Sequence, residues 1–148
     1  MSFYGTGHEY DMLQDALEAG GIAWWMMEYP SGAVFFGANK IKMLGYNESD
    51  VSNFIHFSHF TDLIHPDDYE AAMTSMRNLL TGQSDRYETR YRIKTKAGGY
   101  VVYHDKGRIV GRNKKGELAV AGVVANVTES SIDKDGNLIS TSPSAQTL

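Results

Sequence analysis

The chain has 148 residues, 42% hydrophobic and 22% charged, a balance that suits one ordinary domain with its own core and excludes a disordered chain. A net charge of −4, from 14 basic and 18 acidic side chains, argues against a surface built to hold a nucleic-acid backbone. The absence of cysteine excludes disulfides, thiolate zinc and iron–sulfur sites and every cysteine nucleophile.

Residues 9–19 place Tyr10, Leu13 and Leu17 at helical spacing among Asp11, Gln14, Asp15 and Glu18, which predicts a short amphipathic helix ended by Gly20-Gly21. A flanking helix with one apolar edge folds back on its own domain or pairs with a second subunit, and Tyr10, Leu13 and Leu17 are the candidate dimer contacts. Residues 22–29 form an apolar, aromatic-rich run, Pro30-Ser31-Gly32 a turn, and Ala33-Val34-Phe35-Phe36 a second run, the pattern of a β-hairpin. Residues 38–44 turn helical and stop at Gly45; Ser49 and Ser58 are candidate N-caps of short helices before Ile64. His65-Pro66-Asp67-Asp68 opens the clearest helix. Proline suits the first helical position, and the aspartates stand against the positive end of the dipole. Tyr69, Ala72, Met73, Met76, Leu79 and Leu80 then form one stripe, closed by Gly82.

Three strands follow. In residues 86–96, Tyr87, Thr89, Tyr91 and Ile93 alternate with charged side chains, the mark of a sheet with one wet face. Ala97-Gly98-Gly99 turns into a long strand over 100–112, and Asn113-Lys114-Lys115-Gly116 turns into a third over 118–127. The small Ala and Gly residues of that third strand thin the packing on one face and leave room for a cavity. The resulting fold class is α+β: a five-stranded antiparallel sheet with helices on one face and an N-terminal flanking helix. The expected divisions are a flanking helix over 1–20, the domain over 21–129 and a flexible tail over 130–148, rich in Ser, Thr, Asp and Gly.

Five short stretches carry a resemblance: Met43-Leu44-Gly45-Tyr46, Ile64-His65-Pro66-Asp67-Asp68, Arg86-Tyr87-Glu88-Thr89-Arg90-Tyr91-Arg92, Lys96-Ala97-Gly98-Gly99-Tyr100 and Asn126-Val127-Thr128-Glu129. In that order they resemble the LGY, HPDD, E.R(L/Y)R, KDG.Y and terminal DITE signatures of a PAS domain of the PAC-containing subtype, as in bacterial and archaeal sensor histidine kinases. The resemblance covers residues 19–129. Each stretch is weak alone; in order, on elements assigned from periodicity, they are specific. Tyr103 stands where the family usually has tryptophan, Ala97 replaces the aspartate of the turn, and Asn126 replaces the aspartate of the terminal motif.

The resemblance implies a sensory or signal-relay domain of a two-component or other signal-transduction protein, not an enzyme, with a ligand pocket between the sheet and the helices. The candidate pocket residues are Trp24, Trp25, Phe36, Met43, Phe60, Met76, Tyr91, Tyr103, Ala121 and Val123, and the relay motif is Asn126, Thr128 and Glu129. Trp24 and Trp25 point to opposite sides of a strand, so one lines the core and the other does not. The expected partners are a second copy of the chain, a kinase or transcriptional effector, and an unidentified small molecule. The alternative is a pure dimerisation module with a filled core. A haem- or flavin-binding redox sensor is the distant alternative: without cysteine there is no flavin photoadduct, and residues 66–82, the long helix where the family places a haem ligand, hold no histidine. His56, His59 and Asp62 have helix-face spacing, but nothing supplies a second shell for a metal, so no metal site is expected. Asp67 and Asp68 at a helix N-terminus are held charged, the reverse of a catalytic acid, and no nucleophile-elbow, Walker or zincin motif occurs. No apolar run approaches the roughly 18 residues of a membrane span, and residues 1–10 lack a signal-peptide pattern. A cytoplasmic location without membrane insertion is therefore expected.

Overall fold

The computed structural model describes residues 7–139. Helix α1 (Gly7–Ala19) ends at a pair of glycines, and Gly21, at a φ of +68°, turns the chain into strand β1 (Ile22–Tyr29). Strand β2 (Val34–Phe36) returns antiparallel and pairs Trp25 with Phe36 and Met27 with Val34, so the expected hairpin is present. Helices α2 (Asn39–Lys42), α3 (Ser58–Thr61) and α4 (Pro66–Leu80) follow, with a 3₁₀ turn over Glu48–Asn53. Strands β3 (Tyr87–Lys94), β4 (Tyr100–Arg112) and β5 (Leu118–Asn126) complete one five-stranded sheet in the order β2-β1-β5-β4-β3, every neighbouring pair antiparallel. The expected α+β plan is the observed one, and β5 is the central strand that joins the two halves of the chain.

Strand periodicity and register decide which side chains reach the core. On β1, Ala23, Trp25 and Met27 are buried and pair with Val124, Gly122 and Val120. On β3, Tyr87, Thr89, Tyr91 and Ile93 are buried, as their alternation predicted. Gly122 lies beside Gly107 of β4, and the indole of Trp25 rests on this glycine pair. A Cβ on Gly107 would stand 2.7 Å from Trp25 Cη2, and one on Gly122 2.6 Å from Trp25 Cζ2. The room left by small residues in β5 is thus filled by Trp25. Ala121 and Val123, expected on the inner face, belong to the opposite one, paired with Met26 and Trp24.

Helix α4 begins as its sequence predicts, with Pro66 in the first turn, and His65 caps it: Nδ1 accepts from the Asp67 amide at 3.0 Å. Asp68 does more than face the dipole. It is buried and accepts from Arg92 Nε at 2.8 Å, Arg92 Nη2 at 3.0 Å and the Arg92 amide at 2.9 Å, tying the helix to β3. Two expected caps are replaced. Asn47, not Ser49, caps the 3₁₀ turn through a reciprocal pair with Asp50, and α3 starts after Phe57, with the Ser58 amide donating to His56 Nδ1. Within the expected flexible tail, Glu129–Ser131 is a 3₁₀ turn and Ile132 bridges to Leu138 around Asp133, whose Oδ1 accepts from the amides of Asp135 and Asn137. The rest of that tail lies outside the described residues.

Gly107→Ala, whose Cβ would meet Trp25 first, is expected to lower the free energy of unfolding by about 1–3 kcal/mol through overpacking and to change tryptophan emission, while Ala121→Ser on the outer face stays within about 0.5 kcal/mol. Urea melts with equal midpoints for Gly107→Ala and the wild type would contradict the close approach of Trp25. Asp68→Ala is expected to cost about 2 kcal/mol, below the range for a fully buried pair because Arg92 is partly solvated.

Candidate functional site

Asp105 stands at the centre of the inner sheet face. On β4 it shares parity with Tyr103 and Gly107, opposite Thr89 of β3 and Val124 of β5, and only 6% of it is exposed. Three donors converge on it: Trp25 Nε1–H on Oδ1 at 2.6 Å, and the hydroxyls of Tyr91 and Tyr87 on Oδ2 at 2.8 and 3.3 Å. Burial raises the Asp105 pKa, against the pull of Lys40 and of the three donors, and burial likewise raises those of Tyr87 and Tyr91 beside its charge.

The matching cation is Lys40 of α2, 7% exposed, with Nζ 3.6 Å from the centre of the Phe60 ring. Two bonds hold α2 against the sheet. The Tyr103 hydroxyl donates to the Lys40 carbonyl at 2.7 Å, and the Asn39 amide donates to the Ile22 carbonyl. Burial lowers the Lys40 pKa to about 8, outweighing the attraction of Asp105.

Between this polar pair, α3 and α4 lies a cavity of about 480 Å³, within the 300–1,000 Å³ range of small-molecule sites. Trp25, Met27, Val34, Phe60, Ile64, Met73, Met76 and Leu80 form its apolar wall; Lys40, Asp105, Tyr87 and Tyr91 form a polar end; and Tyr69, Glu70, Arg77 and Thr81 add polar groups from α4 and its C-terminus. Of the expected pocket residues, Trp25, Phe60, Met76 and Tyr91 line this cavity. Tyr103 lies beneath it, fully buried, and acts through its hydroxyl on α2. Phe36 packs edge-on to Phe54 and Phe60 in a neighbouring aromatic cluster. Met43 borders a separate hollow with Gly45 and Lys96. Trp24 faces the other side of the sheet, where its indole donates to Gln14 at 2.7 Å and meets the edge of Tyr10. Ala121 and Val123 share that outer face.

The histidines are employed locally. His56 Nδ1 accepts from Ser58, His59 Nδ1 accepts from the Ile55 and His56 amides, and no histidine lines the cavity. No group of three metal-ligating side chains is gathered among the described residues. In the terminal motif, Asn126 Oδ1 accepts from the amide and hydroxyl of Thr128 at 3.2 and 2.6 Å. Thr128 Oγ1 accepts from the Val102 amide at 3.1 Å, and the Val127 amide donates to the Val102 carbonyl at 2.8 Å, which fastens the motif to β4. Glu129 is exposed and opens the following 3₁₀ turn. Through Tyr10 and Gln14, α1 folds back on its own domain, yet Tyr10 and Leu13 stay half exposed and Leu17 is partly buried.

Lys40 sets a pH dependence. Its pKa is about 8 in the folded chain and has the ordinary value of 10.5 in the unfolded one, so between those values the unfolded chain binds more protons and stability rises with pH. Tyr87, Tyr91 and Tyr103, raised by burial, oppose this only above their ordinary value of 10.0. From about pH 7.5 to about pH 9.5 the wild type is expected to gain about 2 kcal/mol relative to Lys40→Met. Urea melts at the two pH values measure it, and a difference that does not change would mean that Lys40 titrates as an ordinary surface lysine.

The family model for the PAS fold matches residues 34–124, more than half of the chain. A methyl sulfide methyltransferase-associated sensor of Methanosarcina acetivorans is 30% identical over 106 residues, which cover 71% of this chain and 10% of that protein. The chain thus spans about a tenth of the length of that relative. A sensory box histidine kinase/response regulator from Burkholderia thailandensis E264 superposes with a TM-score of 0.64 at 21% identity, over 80% of this chain and 86% of that one. The N-terminal domain of a diguanylate cyclase with PAS/PAC sensor from Marinobacter aquaeolei gives 0.62 at 20% identity, over 74% and 97%. At these identities the structural likeness is one of fold. With the family match, the sheet order and the helices over its inner face all in agreement, this chain belongs to the PAS family.

Proposed function

We propose that this chain is a sensory and signal-relay domain of the PAC-containing subtype, in which a small molecule occupies the cavity over Trp25 and its presence is passed to a partner. The observation that carries this reading is the cavity itself: about 480 Å³ beside a buried Lys40–Asp105 pair, with apolar walls and a polar end. A core filled for stability alone would close such a space, since unfilled volume in an apolar core is destabilising. The relay elements are Asn126, Thr128 and Glu129 at the end of β5, and the partner is a kinase or transcriptional effector in the cytoplasm. Of the two aspartates that open α4, Asp68 is held by Arg92 and serves to join the helix to β3. Native mass spectrometry and an absorption spectrum of freshly purified protein test the reading. A bound mass that exchanges with the cell extract used is expected; a chain that stays bare against every extract counts against a sensor.

The same domain also pairs with a second copy through residues 10–17. The observation favouring this is the unpartnered apolar surface on the outer side: Tyr10, Met12 and Leu13 of α1 are exposed, as are Met26, Phe35 and Val123 of the sheet. Light scattering at high concentration is expected to give a dimer mass, with Leu13→Glu weakening the dimer at least about tenfold. A strict monomer would remove this part of the proposal.

A further inference from the structure

Taking the cavity as a binding site, its polar end specifies what the occupant must offer. A lysine ammonium carries three N–H donors and accepts nothing. Lys40 lines the cavity and is more than nine-tenths buried, yet its Nζ hydrogen-bonds no described residue: its neighbours are the rings of Phe60 at 3.6 Å and of Trp25 and Phe36 at 6.0 Å. An aromatic face attracts the charge but does not accept in the way oxygen does. The donors of Lys40 are therefore left to whatever fills the cavity. Asp105 is in the opposite condition. Its two oxygens already accept from Trp25, Tyr87 and Tyr91, so it has little need of a donor from a ligand. What is lacking at this end of the cavity is an acceptor.

Charge narrows the class further. Lys40 and Asp105 attract one another and their charges cancel. A carboxylate ligand would leave a surplus anion in a desolvated space beside Asp105, where like charges are strongly disfavoured. A neutral oxygen accepts from the ammonium without that cost. Beside this end the wall is apolar, from Trp25, Met27 and Phe60 to Ile64, Met73 and Met76, while the opposite charges of Glu70 and Arg77 stand together on α4. The Cε2–Cζ2–Cη2 edge of the Trp25 indole packs on Gly107 and Gly122, and the same ring lines the cavity.

We propose that the cavity takes a flat, uncharged, mainly hydrocarbon molecule bearing a carbonyl group, whose oxygen accepts from Lys40 while its ring lies on Trp25. The test is titration of the full chain with three ligands of one shape, 1-indanone, indane and indane-1-carboxylate, followed through the Trp25 indole N–H signal in two-dimensional NMR. The ketone is expected to bind about tenfold more tightly than the hydrocarbon, the gain of one hydrogen bond to a charged donor, and more tightly than the carboxylate. Lys40→Met is expected to remove the advantage of the ketone and leave indane unchanged. The three-way comparison on the wild type decides the matter even if Lys40→Met does not fold. Equal binding of indanone and indane would overturn the carbonyl while leaving the cavity as a binding site. Tightest binding by the carboxylate would overturn the charge argument in the same way. No shift of Trp25 with any of the three at millimolar concentration would remove both the binding site and its specificity.

Discussion

Desolvating a carboxylate costs several kcal/mol unless donors and an opposite charge are placed around it. Asp105 imposes that requirement at the centre of this sheet, and much of the chain is arranged around it. Its donors come from strands that do not touch one another, Trp25 from β1 and the two tyrosines from β3, while Asp105 sits on β4. For Trp25 to reach it, the indole must cross β5. That passage is open only because Gly122 on β5 and Gly107 on β4 have no side chains there. The opposite charge comes from Lys40, and the helix that presents it is held by Tyr103, two residues from Asp105 on the same strand. Carboxylate, glycine pair, indole and α2 are one arrangement, in which removing any member exposes the others to the same desolvation cost.

The arrangement also explains why one end of the cavity gathers so many polar groups. Tyr87 and Tyr91 flank Thr89, the residue directly across from Asp105, so their hydroxyls converge on one carboxylate oxygen. Away from that point the wall is drawn from the apolar stripe of α4 and from Phe60 and Ile64, with polar groups of Tyr69, Glu70, Arg77 and Thr81 added from α4 and its C-terminus. The cavity thus sets an apolar wall beside a cluster of donors. That is the usual division between the groups that supply affinity and the few that fix orientation.

Most of the fold was legible because its signals are periodic. Tyr87, Thr89, Tyr91 and Ile93 alternate cleanly with charge, and Met73, Met76 and Leu80 recur at helical spacing after Pro66, so β3 and α4 follow from the sequence. The centre of the site was not legible, for a reason in the chemistry. A charged residue in a strand belongs by default to the wet face, and His104, Lys106 and Arg108 make the outer row of β4 as polar as Asp105 makes the inner one. Polarity therefore does not reveal the face. The available signal was parity with Tyr103. Lys40 was hidden by its neighbour Lys42, which is solvated and pairs with Glu18, so two lysines in one short helix look alike in sequence. On β5 every side chain before Asn126 is small or apolar, and period-two reasoning has nothing to count. Only the pairing of Trp25 with Gly122 shows that Ala121 and Val123 face outward.

The glycine pair also bears on how occupancy of the cavity would reach the end of the domain. Where a side chain separates a ring from a strand, rotamer changes absorb a displacement of the ring. Under Trp25 there is none: a Cβ on Gly122 would stand within 2.8 Å of two atoms of the indole, so the ring rests on the backbone itself. A ligand that presses on the indole presses on β4 and β5 directly, and the packed interior around them has little slack to dissipate the strain. From Gly122 the chain runs through Val124 to Asn126, where Thr128 bonds back to Val102 on β4. The two strands under the indole are therefore the same two that clamp the terminal motif. The indole is thus in closer contact with the strands that hold the terminal motif than with α1, which touches the sheet from the far side through Trp24. A route through these strands needs no chain of side chains between the two places, only a strand pair whose relative position has more than one stable value.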